Sequence, residues 1–556
     1  MKANSISHTN SNPAVIDKGC IRTFDIVIVG AGFAGLYMLK RVRELGFSAR
    51  IFEAGTGVGG TWFWNRYPGA RCDVESLEYS YSFSDELQSE WQWSERYASQ
   101  PEILRYLNHV ADRFDLRRDI QLNTRVTSLV FEESTSSWTI HTDKGAPVSA
   151  KFCVMATGCL SAANVPDIPG VESFEGNWYH TGRWPHEGVD FSGQKVAVIG
   201  TGSSAIQCTP VIARQASHLF VFQRTPNFCV PAQNRPLTPE VINDWDANRA
   251  AYRQQARSSV FGLLATGSNQ SALEVLADQR LRDYEQRWTR GGLGFIATYS
   301  DLLLNRAAND TLAEFLHSKI RSTVRDPKLA QKLLPRDFPV GTKRLCVDTG
   351  YYETFNRDNV TLVDIRTTPI EEITPTGLRT SNADYALDSI IFATGFDAMT
   401  GALCKIDIRG RAGISLKQKW AEGPRSYLGL MVAGFPSLFT ITGPGSPSVL
   451  SNMIVSIEQH VDWISDCLAH VREKGCASIE ATSAAESAWT DHVAQVANFT
   501  LFPLANSWYV GANIAGKPRG FMPYIGGVGT YRQKCDSVAA NAYEGFALDS
   551  PKAVAA

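Results

Sequence analysis

The chain lacks the signatures of several protein classes, and each absence narrows the reading. Charge is balanced: 54 Lys and Arg against 56 Asp and Glu leave a net charge of -2. That gives no electrostatic case for nucleic acid or an anionic membrane surface. No stretch of membrane-spanning length is free of charges. Cysteine is sparse, 11 residues in 556, and none form C-x-x-C. This argues against zinc or a disulfide framework, so no metal is expected, and it suits a reducing, cytoplasmic setting. The nearest pair, Cys153 and Cys159, flanks a strand end and reads as packing. Neither H-E-x-x-H nor G-x-S-x-G occurs, which leaves metalloprotease and α/β-hydrolase readings unsupported. Residues 1–23 are rich in Ser and Asn and hold no apolar signal core, so a disordered leader is expected there. No short-period repeat is evident.

What is present is a globular hydrophobic fraction, 44%, in a chain long enough for two or three domains. It contains two glycine-rich turns. The first, Gly30-Ala-Gly32-Phe33-Ala34-Gly35, follows the apolar run 24–29 and precedes Leu36, Leu39, Val42 and Leu45, spaced as a buried helix face. Gly46 stands where such a helix would end left-handed. In this order Gly30 permits a sharp turn, Gly32 lets the backbone approach a pyrophosphate, and Gly35 lets helix and strand pack closely. The helix N-terminus offers free N–H groups to phosphate. Glu53 follows roughly 20 residues on, where a carboxylate accepts from ribose hydroxyls.

The second turn, Gly200-Thr201-Gly202-Ser203-Ser204-Ala205, follows the apolar run 195–199. Its next strand, 218–222, leads to Arg224 and Thr225 rather than to an acid. A carboxylate there would repel a ribose 2′-phosphate, whereas a guanidinium pairs with it. The first site therefore suits FAD and the second NADPH. A protein holding two dinucleotides passes electrons between them, so the chain reads as an oxidoreductase.

The order of these features predicts an α/β fold with two Rossmann-like dinucleotide-binding domains and an inserted helical subdomain. The first (FAD) domain spans 24–155 and returns at 391–550. The second (NADP) domain spans 156–225 and 336–390. Residues 226–335 form the helical insertion. The paired runs Ala156-Thr157-Gly158 and Ala393-Thr394-Gly395 mark the crossings between domains.

Between the turns lies Phe174-x-Gly176-x-x-x-His180-x-x-x-Trp184-Pro185. With this run stand Gly59-Gly60-Thr61-Trp62 through Asp73, the pair Lys343-Arg344, and the turn 393–397. On these residues the chain resembles the type I Baeyer–Villiger monooxygenases from about 24 to 546. The runs 71–76 and 443–448 are most similar to members acting on aryl and steroid ketones.

The resemblance implies bound FAD, with NADPH and O₂ as co-substrates, and a ketone (aryl, bulky or cyclic) converted to an ester or lactone through a C4a-peroxyflavin. Arg344 would stabilise the peroxyanion and the adduct, with Asp73 as its partner. Arg224, Thr225 and Lys343 would cradle the 2′-phosphate. Gly60, Thr61, Trp62, Tyr79, Thr394 and Gly395 would line the cofactors, with Trp64 and Tyr67 as further flavin walls. Trp508 would anchor a mobile loop, 506–513, bent at Gly511. Ser448, Val449 and Leu450 would line the ketone pocket. His180 reads as a hinge residue rather than a proton carrier. A monomer or weak homo-oligomer is expected. Four alternatives stay open: an N- or S-oxygenating flavin monooxygenase; a steroid-specific ketone monooxygenase; a disulfide reductase, which lacks its cysteine pair; and a nucleotide-binding redox sensor.

Overall fold

The computed structural model describes residues 21–264 and 267–549. Most of the expected leader lies outside them, but its last residues do not. The first strand, Arg22–Val29, begins at Arg22 and pairs Arg22 with Val148 and Thr23 with Ser149. The expected leader therefore overlaps this strand at Arg22 and Thr23, which a full-length parallel neighbour holds by hydrogen bonds.

Two parallel sheets organise the molecule. In the first, Leu438–Thr440, Val148–Met155, Arg22–Val29, Ala49–Phe52 and Ile120–Gln121 lie side by side and parallel. An antiparallel extension, Val126–Glu132 and Ser137–Thr142, carries Asp407–Arg409 at its edge. The strand Arg22–Val29 reads as a near-continuous apolar run because both sheet faces are covered. The helix Phe33–Glu44 covers one face and is itself backed by the long helix Met453–Glu473. Gly46 follows at φ +77°.

The second sheet is wholly parallel, in the order Val360–Asp364, His218–Gln223, Lys195–Ile199, Ser389–Phe392, Asn177–His180. Its first strand in sequence of the central three, Lys195–Ile199, has neighbours on both sides. The crevice outside its carboxyl end is where open α/β sheets take ligands. Ser389–Phe392 pairs along all four residues with this sheet. The expected crossing at 390 therefore cuts a strand, and the chain leaves the sheet only after Phe392. Between the halves lie helices Pro239–Ser258, Ala277–Arg290, Arg306–Thr323 and Pro327–Leu333. The second and third pack around Phe295, Phe315 and Phe338, whereas Ala330 and Leu333 of the fourth join the core of the second sheet and Ala256 of the first packs with Val455 and Val528.

Among the described residues no helix is long and apolar enough to cross a membrane. The described cysteines are all free, and among the described residues no cluster of His, Cys, Asp and Glu could hold a metal ion.

Candidate active site

The two nucleotide turns are built alike. Gly30 has φ +106°, and a Cβ on it would stand 2.6 Å from the Ala156 carbonyl oxygen. Gly200 has φ +125°, and its Cβ would stand 2.4 Å from the Ala393 carbonyl oxygen. Each first glycine thus rests on the alanine of one Ala-Thr-Gly run, where no side chain fits. Gly35 closes the first turn against Gly30, and Ala205 is fully buried at the matching place in the second.

Around the first turn, Gly60 faces Gly32, backbone to backbone. Glu53 is buried, and its carboxylate accepts the N–H of Ala31 at 2.7 Å and of Gly55 at 2.6 Å. Carboxylate oxygens have further lone pairs, so these bonds orient Glu53 while leaving it able to accept from a ribose hydroxyl. Phe33 is buried against Tyr79, with ring centroids 5.4 Å apart, and half-buried Ala34 follows it. The Trp62 indole donates to the Tyr79 hydroxyl at 3.2 Å, and Thr61 is exposed beside it. Trp64 and Tyr67 also reach across to the second unit. Trp64 packs its edge near His186, and the Tyr67 hydroxyl donates to Gln207 at 2.8 Å. Both brace the first unit against the second.

At the second turn, Thr201 donates to the Thr225 carbonyl at 2.5 Å, and Ser204 meets Thr181 at 3.1 Å. Ser203 lies 3.3 Å from the Cys346 sulfur. A Cβ on Gly202 would meet no protein atom within 4 Å, so its backbone faces open space. Arg224 is exposed and Lys343 half-buried, with its ammonium 4.6 Å from the Phe338 ring centroid. Burial first, and then the charge of Arg224, push the Lys343 pKa down. Two mutually repelling cations that form no ion pair among the described residues make a site that gains from an anion.

Lys343 and Arg344 meet different partners, Lys343 the Phe338 ring and Arg344 the Asp73 carboxylate. The Arg344 guanidinium holds both Asp73 oxygens along one edge: Nε to Oδ2 at 2.9 Å and Nη2 to Oδ1 at 2.6 Å. Nη1 donates to the Val449 carbonyl at 3.1 Å. The side chains keep 24% and 18% exposure, respectively, so the pair is sheltered but open on one side. Desolvation opposes the arginine's charge, but the Asp73 carboxylate beside it prevails, and the net shift is upward. The cation is permanent at any working pH.

Val449 belongs to the turn Ser448–Leu450, and Ser448 is buried at φ +44°. Its hydroxyl donates to the Thr442 carbonyl at 3.0 Å and lies 3.0 Å from the Cys159 sulfur. Cys159 is therefore a support of this turn, beyond the packing role expected of it. His460 supports it from below. Its Nδ1 accepts the Thr442 N–H at 2.8 Å, and its Nε2 lies 3.0 Å from the Tyr531 hydroxyl, which donates to the Leu428 carbonyl. Burial, with Arg532 second, pushes the His460 pKa down to about 3.

The fingerprint run is structural in its contacts. Phe174 packs in the core of the second sheet, and a Cβ on Gly176 would lie 2.4 Å from the Asp388 carbonyl oxygen. Trp184 is buried between Tyr179 and Phe191, and Pro185 follows it at the end of the short turn Thr181–Arg183. His180 is buried, accepts the Gly182 N–H at 2.9 Å and meets Phe396 edge-on. Burial, then Arg183, push its pKa down to about 4, so it is neutral. It sits beside the linkers. Thr394 donates to the Asn164 carbonyl at 2.5 Å, the Asn164 N–H bonds to the Gly395 carbonyl at 2.9 Å, and Ala163 bridges Phe396.

On the late loop, Gly511 bends as expected, at φ +74°. Trp508 is only half-buried, however, and Tyr509 is the ring that anchors the loop, 2% exposed against Phe502 and Phe521. Sequence reasoning missed Tyr509, and likewise Lys517, Asp397 and His460. Adjacency to Trp508 was the one signal for Tyr509.

The residues fit a dinucleotide at each turn. Gly30, Gly32 and Gly60 leave a strip of bare backbone ending at an oriented carboxylate, and Gly202 leaves one ending at two cations. Fold and site thus define a two-dinucleotide oxidoreductase. In keeping with this, residues 27–250 match the family described as pyridine nucleotide-disulphide oxidoreductase. The chain is 43% identical over 531 residues to a Baeyer-Villiger monooxygenase of Pseudooceanicola batsensis, covering 95% of this chain and 96% of that one. A solved oxidized steroid monooxygenase bound to NADP is 53% identical, with TM-score 0.91 over 95% of this chain and 100% of that one. The OTEMO complex with FAD and NADP is 42% identical, with TM-score 0.92 over 94% and 99% of the two chains. The chain belongs to the Baeyer–Villiger monooxygenases.

Proposed function

We propose that this chain uses NADPH and O₂ to insert one oxygen atom beside the carbonyl carbon of a ketone, giving an ester or, from a cyclic ketone, a lactone. The reaction balances as ketone, O₂, NADPH and a proton going to ester, NADP⁺ and water. The observation that carries this reading is the two-point grip of Asp73 on one edge of Arg344 beside the Ser448–Leu450 turn.

Gly30, Gly32, Phe33, Ala34, Gly35, Glu53, Gly60, Thr61, Trp62 and Tyr79 would hold FAD. Gly200, Thr201, Gly202, Ser203, Ser204, Arg224, Thr225 and Lys343 would hold NADP, with Thr394, Gly395 and Trp508 at its nicotinamide end. Bound FAD supplies hydride acceptance and oxygen activation, chemistry no side chain can perform. Arg344 offers its unused N–H groups to the carbonyl oxygen as negative charge develops there. A fixed cation in a sheltered site costs no reorganisation at that moment. Asp73 sets its plane, because a two-point grip fixes orientation as well as charge. Neutral His180 holds the linkers and moves no proton. Buried Ser448 and Val449 with half-buried Leu450 present a small, largely apolar wall, suited to aryl, bulky or cyclic ketones. The domains follow: 24–155 with the segment after Phe392 for FAD, and 156–225 with the segment from 336 for NADP. A cytoplasmic monomer or weak homo-oligomer completes the reading.

Turnover under ¹⁸O₂ tests it. An ester carrying one labelled oxygen per NADPH consumed is expected from an aryl or cyclic ketone. Sulfoxide from a thioether with ketones untouched would instead favour the S-oxygenating reading. NADPH consumption yielding only hydrogen peroxide would overturn both.

A further inference from the structure

We infer that helix Pro239–Ser258, from the segment inserted between the halves of the second unit, completes the flavin side of the first unit, and that Arg253 is the positioning residue through which it does so. The inference deepens the reading above and rests on its assignment of Tyr79 to FAD. Arg253 is buried, and its hydrogen-bond partners are neutral groups of the first unit. Nη1 donates to the Glu78 carbonyl at 3.1 Å, Nη2 to the Ser80 hydroxyl at 2.8 Å, and Nε to the Gln88 side-chain carbonyl at 3.1 Å. The guanidinium thus straddles Tyr79, holding the residue before it and the residue after it. A planar fork set on several points fixes orientation as well as distance.

Alternate residues of the strip 78–82 serve the two sides. Glu78, Ser80 and Ser82 meet the inserted segment: Arg257, one helical turn after Arg253, donates to the Ser82 hydroxyl at 2.8 Å, and the Leu264 N–H donates to the Glu78 carboxylate at 2.8 Å. Tyr79 and Tyr81 meet Phe33 of the first glycine-rich turn instead, with ring centroids 5.4 and 5.1 Å from its own. The Tyr79 hydroxyl accepts the Trp62 indole N–H, and the Tyr81 hydroxyl donates to the Phe33 carbonyl. Glu78 and Ser80 are buried, and Tyr79 between them is half-buried. The Glu78 carbonyl also accepts from the Asn452 amide at 2.9 Å, and Asn452 caps the helix Met453–Glu473 that follows the Ser448–Leu450 turn. Arg253 therefore acts on the first turn at one remove: it holds the strip, and the strip holds Phe33 and Trp62.

The test is a fluorescence titration of the FAD-stripped full chain with FAD, beside its melting temperature. Arg253→Met should weaken FAD binding roughly tenfold, the loss of charge-assisted hydrogen bonds, and should change the visible circular dichroism of the flavin at saturating FAD. Arg253→Lys should recover part of both, because an ammonium lacks the planar fork. Ser80→Ala, which removes one flanking acceptor and leaves the guanidinium, should show a smaller loss of the same kind and carries the test if Arg253→Met does not fold. Tyr79→Ala should weaken FAD binding by itself, and adding Arg253→Met to it should cost little more, as residues acting through one contact do. Losses that simply add would overturn the proposal. So would a lowered melting temperature in Arg253→Met or Ser80→Ala with wild-type FAD affinity and flavin spectrum, which would reduce Arg253 to a scaffold residue. Wild-type FAD affinity in Tyr79→Ala would show that the assignment of Tyr79 to FAD had failed, and the proposal would fall with it.

Discussion

Asp397 and Lys517, separated by 120 residues in sequence, form an ion pair of 2.6 Å with 30% and 11% side-chain exposure. Asp397 ends the crossing from the second sheet back to the first, and Lys517 lies on the loop carrying Trp508 and Tyr509. The pair ties loop to linker. A charged hydrogen bond of this shelter contributes about 1–2 kcal/mol, a factor of roughly 5–30 in population. Lys517→Met should therefore weaken NADP⁺ binding by about that factor in a fluorescence titration while leaving FAD content unchanged. Unaltered affinity would mean the pair is ornamental.

Arg344→Ala should reduce ester formation by about 10²–10³-fold, the cost of losing a fixed donor to a developing oxyanion, while NADPH is still oxidised. Arg344→Lys should recover little, because an ammonium cannot satisfy both Asp73 oxygens in one plane. Product analysis by gas chromatography reads both. A lysine variant close to wild type would show that charge alone suffices.

The two cations near the second turn, Arg224 and Lys343, are proposed to hold the 2′-phosphate and so to favour NADPH over NADH. Arg224→Ala and Lys343→Ala should each raise KM for NADPH by roughly tenfold, the loss of one charge-assisted contact, and leave KM for NADH unchanged. The ratio of kcat/KM for the two coenzymes is the measurement. Equal losses with both would place these residues off the 2′-phosphate.

Gly200→Ala and Gly202→Ala should differ although two residues apart. At Gly200 a Cβ would meet the Ala393 carbonyl oxygen at 2.4 Å with φ +125°, so melting temperature should fall. At Gly202 no protein atom lies within 4 Å. That variant should melt as wild type and keep FAD, yet bind NADPH poorly because the methyl occupies the phosphate path. Normal NADPH affinity in Gly202→Ala would move the dinucleotide elsewhere.

His460 should give stability a pH dependence. Its pKa is about 3 in the fold against an ordinary 6.5. Between those values the unfolded chain binds the proton and the folded one does not, so stability is full above pH 6.5 and falls as pH drops toward 3. The slope approaches about 1.4 kcal/mol per pH unit for one proton. His460→Gln should flatten melting temperature between pH 6.5 and 4, read by circular dichroism. An unchanged slope would assign the acid limb to other groups.

Much of this was legible along the chain because it is local. A glycine turn, the strand before it and the helix after it lie within one short segment, and Gly30, Gly200, Glu53 and Arg224 announce themselves by spacing. Arg344 and Asp73 needed a family likeness, since a Lys-Arg pair in isolation reads as a solvated face. Tyr509 was passed over for Trp508 because burial is not written in residue type: both are large aromatics, and only packing against Phe502 and Phe521 distinguishes them.

By itself, the sequence determined two nucleotide-binding units, their order, the cation in place of an acid at the second, and the crossings at the Ala-Thr-Gly runs. Each follows from short-range geometry, where a Cβ, a dipole or a charge acts on its neighbours. Only the tertiary structure decided that Asp73 and Arg344 meet across 271 residues, that Ala156 and Ala393 roof the two turns, and that Lys517 ties the late loop to Asp397 on the linker. Those contacts depend on how sheets and helices pack, and that packing is set by the whole core at once.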